Sequence, residues 1–523
     1  RVRSKKACDS CRQRKRKCDG NRPCGTCMRY EYECTYPKTN RRKHATITND
    51  PTSPPVAEGP GSYTALSPVS SEKPPNPGEG HNDGTLEQKS DSQPSVAPRD
   101  MTQYKCRFIG PGSAVAFTRD VGVDLQLSSV PRLHSYAWNT GMRLENIPRI
   151  DSRITTLISL DCCQRFSSAY FQAVNPLFPL LDAEQYATQC AHHWSRANAG
   201  TDFEAVVSIV IALGSLFSPQ MPCLAEAELV GHAHTILDAA ISQPPTTLSL
   251  YIVIGWILLS LYQRLTTRPT ISWMSINIAM HLAESTGLHQ EIVSVQNDRN
   301  VPPRVLEPEE LETRRRVFWV AWSLNRFFAG EMARSRVKLN NIHCLKPAQK
   351  EGDFVNKLIS LTELIPDNVG YSVNNDVEAD MKTLLEKLPD LGDGPPIFSL
   401  LKADVCFQCY RRLRLFRRGL KGEQTESILG VIRSSVAEAR KLCNEQQPWW
   451  NILSTTFQSL LVLISINTAS SISLIPDVTQ ALGEIAAGYN THNAREALQI
   501  SQQMVRKLLE RKREEVCALE NAS

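Results

Sequence analysis

The chain has 523 residues and a net charge of +5, with 41% hydrophobic and 22% charged residues, which is typical of a soluble globular protein. The longest apolar runs cover residues 252–261 and 460–466. Both are shorter than the roughly 18–20 residues that span a bilayer, so we interpret them as buried helices and expect no membrane partner.

The positive charge is concentrated at the N-terminus. Residues 1–44 contain fifteen Lys and Arg against four Asp and Glu, a net charge of +11, and the remaining 479 residues therefore carry −6. A short basic segment on an acidic body predicts a polyanion-binding module attached to a second domain.

Six of the sixteen cysteines lie in this basic segment, in two halves that share the spacing C-x2-C-x6-C. A C-x2-C pair brings two thiolates to one metal ion, and thiolates select zinc over calcium or magnesium. Two tetrahedral zinc ions need eight ligand positions, so six thiolates suffice only if two of them bridge. Cys8 and Cys24 occupy equivalent positions and fit that role. The predicted ligands are Cys8, Cys11, Cys18, Cys24, Cys27 and Cys34.

The two halves differ in the charge between their second and third cysteines. Residues 12–17 read RQRKRK, with five positive charges, whereas residues 28–33 read MRYEYE, with one positive and two negative charges. Only the first half can approach phosphate groups, so we assign it to double-stranded DNA and the second half to packing. We expect Asp9 to cap the short helix that begins the first half.

This segment resembles the fungal binuclear zinc cluster DNA-binding domain, whose six-cysteine pattern it matches over about residues 5–37. The resemblance implies two short helices related by a pseudo-twofold and two zinc ions. It implies that one zinc ion is held by Cys8, Cys11, Cys18 and Cys24, and the other by Cys8, Cys24, Cys27 and Cys34.

The resemblance also implies how the segment reads DNA. Lys15, which Arg14 precedes, takes the position that contacts base edges of a CGG-type triplet in the major groove, where Lys can donate to guanine. The neighbouring basic residues are expected to contact phosphates: Lys5, Lys6, Arg12, Arg16, Lys17, Arg41, Arg42 and Lys43. The basic clusters 12–17 and 41–43 also read as nuclear import signals.

Residues 45–105 are predicted to be a disordered linker between a DNA-binding domain at 1–44 and a large domain at 155–523. Residues 45–100 contain ten prolines and few large apolar residues. They hold no apolar heptad that would form the coiled-coil dimer common in the family. The protein would then bind DNA as a monomer, or form a homodimer through its large domain. One helix near the C-terminus has two interpretations: it contacts a partner, or it is an amphipathic helix that faces the core of its own domain. Its apolar positions are Ala494, Leu498, Val505, Leu508 and Leu509.

The large domain is predicted to be irregular and all-α, because apolar residues recur at intervals of three and four. The predicted helices are 160–174, 203–217, 225–241, 248–265, 271–286, 309–329, 397–418, 426–445, 450–472 and 492–516.

Three segments of this domain, residues 170–186, 273–289 and 314–328, resemble motifs of the fungal-specific transcription factor domain, or middle homology region. The resemblance implies a domain that regulates the N-terminal DNA-binding domain at 1–44, called the head below. In the family it sometimes does so by binding a small molecule or a partner such as the transcription machinery. Asn325 stands where the family commonly has Asp, and the Gly-Arg-Pro that follows there is absent. The run Arg314–Arg316 is interpreted as a solvated helix end, with an acidic partner as the alternative.

Catalytic motifs are missing from the sequence, which holds no G-x-S-x-G, Walker or H-E-x-x-H pattern. We interpret Cys406 and Cys409 as a packed pair of core cysteines, and His192 with His193 as surface residues. His232 and His234 face different sides of a helix and make a poor metal pair.

The leading hypothesis is a nuclear, sequence-specific transcription factor that regulates RNA polymerase II transcription, with a metabolic or secondary-metabolite pathway as the suggested target. The alternative is an enzyme or signalling protein that carries an accessory structural zinc module.

Overall fold

The computed structural model describes residues 7–13, 18, 113, 121, 125, 153–195, 201–242, 249–292, 294–295, 304–366 and 376–522. The chain divides into two compact units, Arg1–Ser92 and Gln93–Ser523. In the first unit the described part contains the short helix α1, Asp9–Gln13.

The second unit is built from helices. Its first half contains α2 (Ile154–Leu157), α3 (Leu160–Ala173), α4 (Ala183–Ser195), α5 (Asp202–Leu216), α6 (Glu226–Ser242), α7 (Leu250–Thr266) and α8 (Pro269–Ser285). Its second half contains α9 (Pro308–Glu331), α10 (Val355–Glu363), α11 (Val377–Lys387), α12 (Pro396–Leu415), α13 (Gly422–Asn444), α14 (Asn451–Ile466), α15 (Ala469–Ser473), α16 (Ile475–Tyr489) and α17 (His492–Glu520). The all-α prediction is confirmed; the one β feature in the described ranges is an antiparallel ladder of β1 (Ser294–Val295) and β2 (Arg304–Val305).

The centre of the first half is α5, which packs against α3, α6 and α7. Residues 203–215 are all buried, and the helix is apolar on every side, as expected for a helix surrounded by others. A Cβ added at Gly214 would lie 1.9 Å from the backbone oxygen of Phe166, so the glycine permits the close approach of α5 to α3. The long helix α9 contacts α7, α8, α10 and α12 and thereby connects the two halves.

Each of the ten predicted helical segments overlaps an observed helix, but the prediction missed α2, α4, α10, α11 and α16. It also merged two helices over residues 450–472. Asn467 adopts a left-handed conformation (φ 55°) that ends α14, and the Thr468 side chain then caps α15 by accepting from the Ser471 N–H.

The third motif lies on α9, and its Asn325 anchors the segment after that helix. The Asn325 side chain accepts from the Val337 N–H (3.0 Å) and donates to the Asn277 side chain (2.6 Å). An amide can do both, whereas a carboxylate only accepts. Asn325 therefore takes over the backbone contact available to an aspartate and adds a tie to α8.

The interpretation of Arg314–Arg316 as a solvated helix end is wrong. Arg316 is buried and pairs with Glu312 (3.0 Å) and Asp353 (2.6 Å), and Arg315 pairs with Glu291. Arg314 donates to the carbonyl of Thr286 at 3.2 Å. The three guanidinium groups hold α9 against neighbouring segments of the same domain.

The C-terminal helix α17 has 29 residues and is therefore about 43 Å long. Leu498, Val505 and Leu508 are partly buried against the core, as the core-facing alternative predicts. Leu509 and Leu519 are 48% and 72% exposed, so the helix also carries apolar side chains that nothing in the described structure covers.

Cys406 and Cys409 are buried on α12, which agrees with a packed pair. Burial raises the pKa of the Cys409 thiol to about 12, so this thiol stays protonated and unreactive at neutral pH. Among the helices of the described ranges, none combines the length and apolarity needed to cross a lipid bilayer.

Candidate functional site

The N-terminal site is a cluster of three cysteines around α1. Cys8 directly precedes the helix, Cys11 lies within it, and Cys18 follows after the basic run. The three sulfur atoms all lie within 4.8 Å of one another. Cys8 and Cys11 are buried, and Cys18 is half-buried.

Backbone amides surround these sulfurs. The Cys11 N–H donates to the Cys8 sulfur (N···S 3.4 Å), and the Cys8 N–H donates to the Cys18 sulfur (3.5 Å). The Cys8 sulfur therefore stands where a helix cap would accept. The expected capping residue, Asp9, lies instead in the first turn, where its negative charge still favours the helix N-terminus.

This donor set fits a zinc ion. Tetrahedral zinc with Zn–S bonds of about 2.3 Å places its sulfurs about 3.8 Å apart, and the three sulfurs here all lie within 4.8 Å of one another. N–H groups directed at sulfur stabilise the thiolate form that binds metal. Cys8, Cys11 and Cys18 could thus supply three ligands to one ion.

Arg12 is the one predicted DNA contact that the structure describes. Its side chain is 65% exposed and pairs with Asp9 at 2.6 Å. Exposed pairs of this kind contribute about 0–1 kcal/mol, so a phosphate can replace Asp9 as the partner. The other predicted site residues lie outside the described residues: Lys5, Lys6, Arg14, Lys15, Arg16, Lys17, Cys24, Cys27, Cys34, Arg41, Arg42 and Lys43.

Comparison with known proteins places both parts of the chain. Residues 6–43 match the fungal Zn(2)-Cys(6) binuclear cluster domain, and residues 168–388 match the fungal specific transcription factor domain. Protein RDR1 of Saccharomyces cerevisiae is 33% identical over 532 residues, which cover 100% of this chain and 92% of the relative. The chain belongs to the fungal zinc-cluster transcription factors.

Other relatives of this zinc-cluster transcription factor carry names that agree with the family. Transcription factor kojR of Aspergillus oryzae is 29% identical over 508 residues, covering 97% of this chain and 83% of the relative. The probable transcriptional repressor C1348.12 of Schizosaccharomyces pombe is 24% identical over 455 residues, covering 86% and 93%. No solved structure matches. The N-terminal domain is thus a zinc-binding and DNA-binding domain. The three predicted motifs of the large domain all lie within the matched residues 168–388.

The helical domain of this transcription factor contains a buried charge cluster that the sequence interpretation missed. The Glu204 carboxylate on α5 is fully buried and contacts His193 Nε2 of α4 (2.8 Å) and His232 Nε2 of α6 (2.9 Å). The prediction that His192 and His193 are surface residues is therefore wrong for His193, which is buried, whereas His192 is exposed.

The cluster keeps Glu204 ionised. Burial alone would raise the pKa of its carboxyl, but hydrogen bonds from His232 and His193 outweigh burial, and the pKa lies below its ordinary value. A glutamate inside the apolar run of α5 was the sequence signal for such a cluster, because a buried carboxylate needs partners.

The helical domain also has space for small molecules. A cavity of about 1190 Å³ has acidic side chains on its walls, among them Asp182, Glu184 and Glu309. A second cavity of about 310 Å³ is lined by apolar side chains, serines, a lysine and an aspartate.

Proposed function

We propose that this transcription factor binds duplex DNA at a CGG-type triplet through a head that holds two zinc ions with six cysteines. Cys8 and Cys24 bridge the ions in this proposal. The observation that carries it is the clustering of Cys8, Cys11 and Cys18, whose sulfurs lie within 4.8 Å of one another.

That clustering restrains the basic run of residues 12–17. Residues 12–17 connect Cys11 to Cys18, so a metal ion that binds both cysteines closes the run into a short loop. Closure holds the five positive charges on one small module instead of leaving them on a flexible chain. Fixed charges can then enter a groove in a defined register.

Charge supports a nucleic-acid partner. Residues 1–44 carry +11 from side chains, and six thiolates with two zinc ions leave about +9. Neutralising phosphates releases counterions, so the affinity for any duplex should fall steeply as salt rises.

Two substitutions separate base reading from phosphate contact. Lys15→Ala should weaken binding to a CGG duplex by about 1–3 kcal/mol and leave binding to a scrambled duplex nearly unchanged. Arg42→Ala should weaken both duplexes alike and lower the salt dependence by about one phosphate contact. Fluorescence anisotropy over a salt series measures both effects.

Equal losses on the two duplexes from Lys15→Ala would show that Lys15 does not read bases. A zinc-free preparation is the control. It should lose all DNA binding, which shows that the measured anisotropy depends on the folded head.

We infer that the protein acts in the nucleus on RNA polymerase II promoters, has no catalytic activity of its own, and regulates a metabolic or secondary-metabolite gene set. A relative in Monascus ruber, 24% identical over 343 residues, is named citrinin biosynthesis transcriptional activator mrl3. Genome-wide mapping of bound sites would give the target genes. Sites without a shared CGG triplet would contradict the proposal.

We also propose the domain limits 1–44, 45–105 and 155–523, supported by the family matches at 6–43 and 168–388. If the protein forms a homodimer, the exposed apolar residues Leu509, Val516 and Leu519 of α17 offer a contact. Sedimentation of the intact protein and its Leu519→Lys variant distinguishes such a dimer from a monomer.

A further inference from the structure

The smaller cavity, of about 310 Å³, lies where α11, α12 and α13 meet. Each helix lines it with residues three or four positions apart, which share a helix face. From α11 and its end come Leu385 and Leu388, from the segment that follows come Pro389 and Asp393, and from α12 come Ser399 and Lys402. From α13 come Ser427, Gly430, Val431 and Ser434. This volume is at the lower end of the range for small-molecule sites, about 300–1,000 Å³.

The cavity has an apolar side. Leu385, Leu388 and Val431 supply aliphatic surface. Gly430 faces open space, because a Cβ added there would meet no atom within 4 Å. A hydrocarbon or aromatic body fits against this surface.

The charged side of the cavity is formed by Lys402 and Asp393. Lys402 is half-buried, and its Nζ donates to the carbonyl of Gly392 at 2.6 Å. Lys357 donates to the carbonyl of the next residue, Asp393. An ammonium group has three N–H donors, so the bond to Gly392 leaves Lys402 able to donate to a further acceptor.

Desolvation makes this lysine receptive to an anion. Burial lowers the pKa of Lys402, Asp393 opposes that change, and Lys357 adds to it. Lys402 and Asp393, which both line this end of the cavity, balance in charge, and the nearby Lys357 adds one positive charge from outside the lining. A carboxylate placed there gains more from Lys402 than from a fully hydrated lysine.

We propose that this cavity binds a small organic acid, with its carboxylate against Lys402 and its apolar body against Leu385, Leu388 and Val431. The hydroxyl groups of Ser399 and Ser434 add donors beside the carboxylate. Most of the lining lies beyond residue 388, where the family match ends.

The ligand would act as an effector of the proposed DNA-binding function, but its binding is measured without DNA. A failure of this inference therefore leaves the account of the head untouched, and a failure of triplet recognition leaves the cavity proposal standing.

The test is isothermal titration calorimetry of the full-length zinc-loaded protein with hexanoate, benzoate and phenylacetate, each paired with its neutral amide. We expect at least one acid to bind, and its amide to bind about tenfold more weakly. Lys402→Met should weaken the acid about tenfold and leave the amide unchanged, because it removes the charge and keeps the stem. Gly430→Leu should abolish binding of both by filling the cavity.

Lys382→Met is the matched control, since Lys382 is an exposed lysine of α11 that does not line the cavity. Circular dichroism checks that each variant is folded, and the two cavity substitutions lie on different helices. The proposal is overturned if none of the three acids binds the folded protein at up to about 10 mM. It is equally overturned if Lys402→Met and Lys382→Met bind the acid alike.

Discussion

At the scale of single residues, the head should contain two classes of cysteine. Cys8 is proposed to bridge both zinc ions, whereas Cys11 is proposed to bind one. Cys8→Ala should therefore release both ions, and Cys11→Ala should release chiefly one, as counted by native mass spectrometry. Cys517→Ala, at an exposed cysteine of α17, should keep the full count. Identical zinc losses from Cys8→Ala and Cys11→Ala would argue against bridging.

Two adjacent histidines of α4 give a second residue-scale prediction. His193→Gln should destabilise the helical domain by about 1–3 kcal/mol, because it disturbs a hydrogen bond to the buried Glu204 carboxylate. His192→Gln is the control, and its exposed side chain predicts almost no change. Thermal unfolding at neutral pH, followed by circular dichroism, compares them. Equal destabilisation by both variants would contradict the assignment of His193 to a buried contact with Glu204 and of His192 to the surface.

Glu204 should also make stability depend on pH. Its pKa in the folded protein lies below the ordinary 4.5, so its contribution is present above that value and is lost as the pH falls through the lowered pKa. Glu204→Gln should destabilise the protein at pH 7, and the gap to the parent should narrow below about pH 4.5. A gap that stays constant or widens as the pH falls below about 4.5 would mean that Glu204 is not held ionised by its histidines.

At the scale of helices, the contact of α3 with α5 depends on Gly214. Gly214→Ala should destabilise the protein by about 3 kcal/mol or more, since the new Cβ would collide with a backbone oxygen that cannot rotate away. Gly231→Ala on α6 is the matched control, because nothing lies within 4 Å of its Cβ position. That change should stabilise by about 0.5–1 kcal/mol. Chemical denaturation of the two variants measures the difference in sign.

Most helices of the large domain were predictable from their apolar pattern. The missed helices α10 and α16 also carry regular apolar faces, whereas unusual residues fill the buried positions of α4. In α4 the buried positions include Tyr186, Cys190 and His193, which do not read as an apolar face. The partners of Glu204 are 11 and 28 residues away, and no local pattern reports such a pairing. The break at Asn467 depends on a left-handed backbone that the apolar run conceals.

At the scale of the whole molecule, the sequence predicted the small head and the large helical domain, because each depends on a different local signal. The spacing of the cysteines indicates the zinc-binding domain, since metal ligands must converge within a few ångströms. Helical periodicity reports the large domain. The cavity beside Lys402 was not predictable, because it depends on how three consecutive helices pack against one another, and periodicity within each helix does not show that packing.

The most direct test of the account is selection of binding sites from a random duplex library by the intact zinc-loaded protein. CGG-type triplets should be enriched, and Lys15→Ala should lower the enrichment without unfolding the head. Retention of duplexes with no shared triplet by a protein that holds two zinc ions would contradict the account.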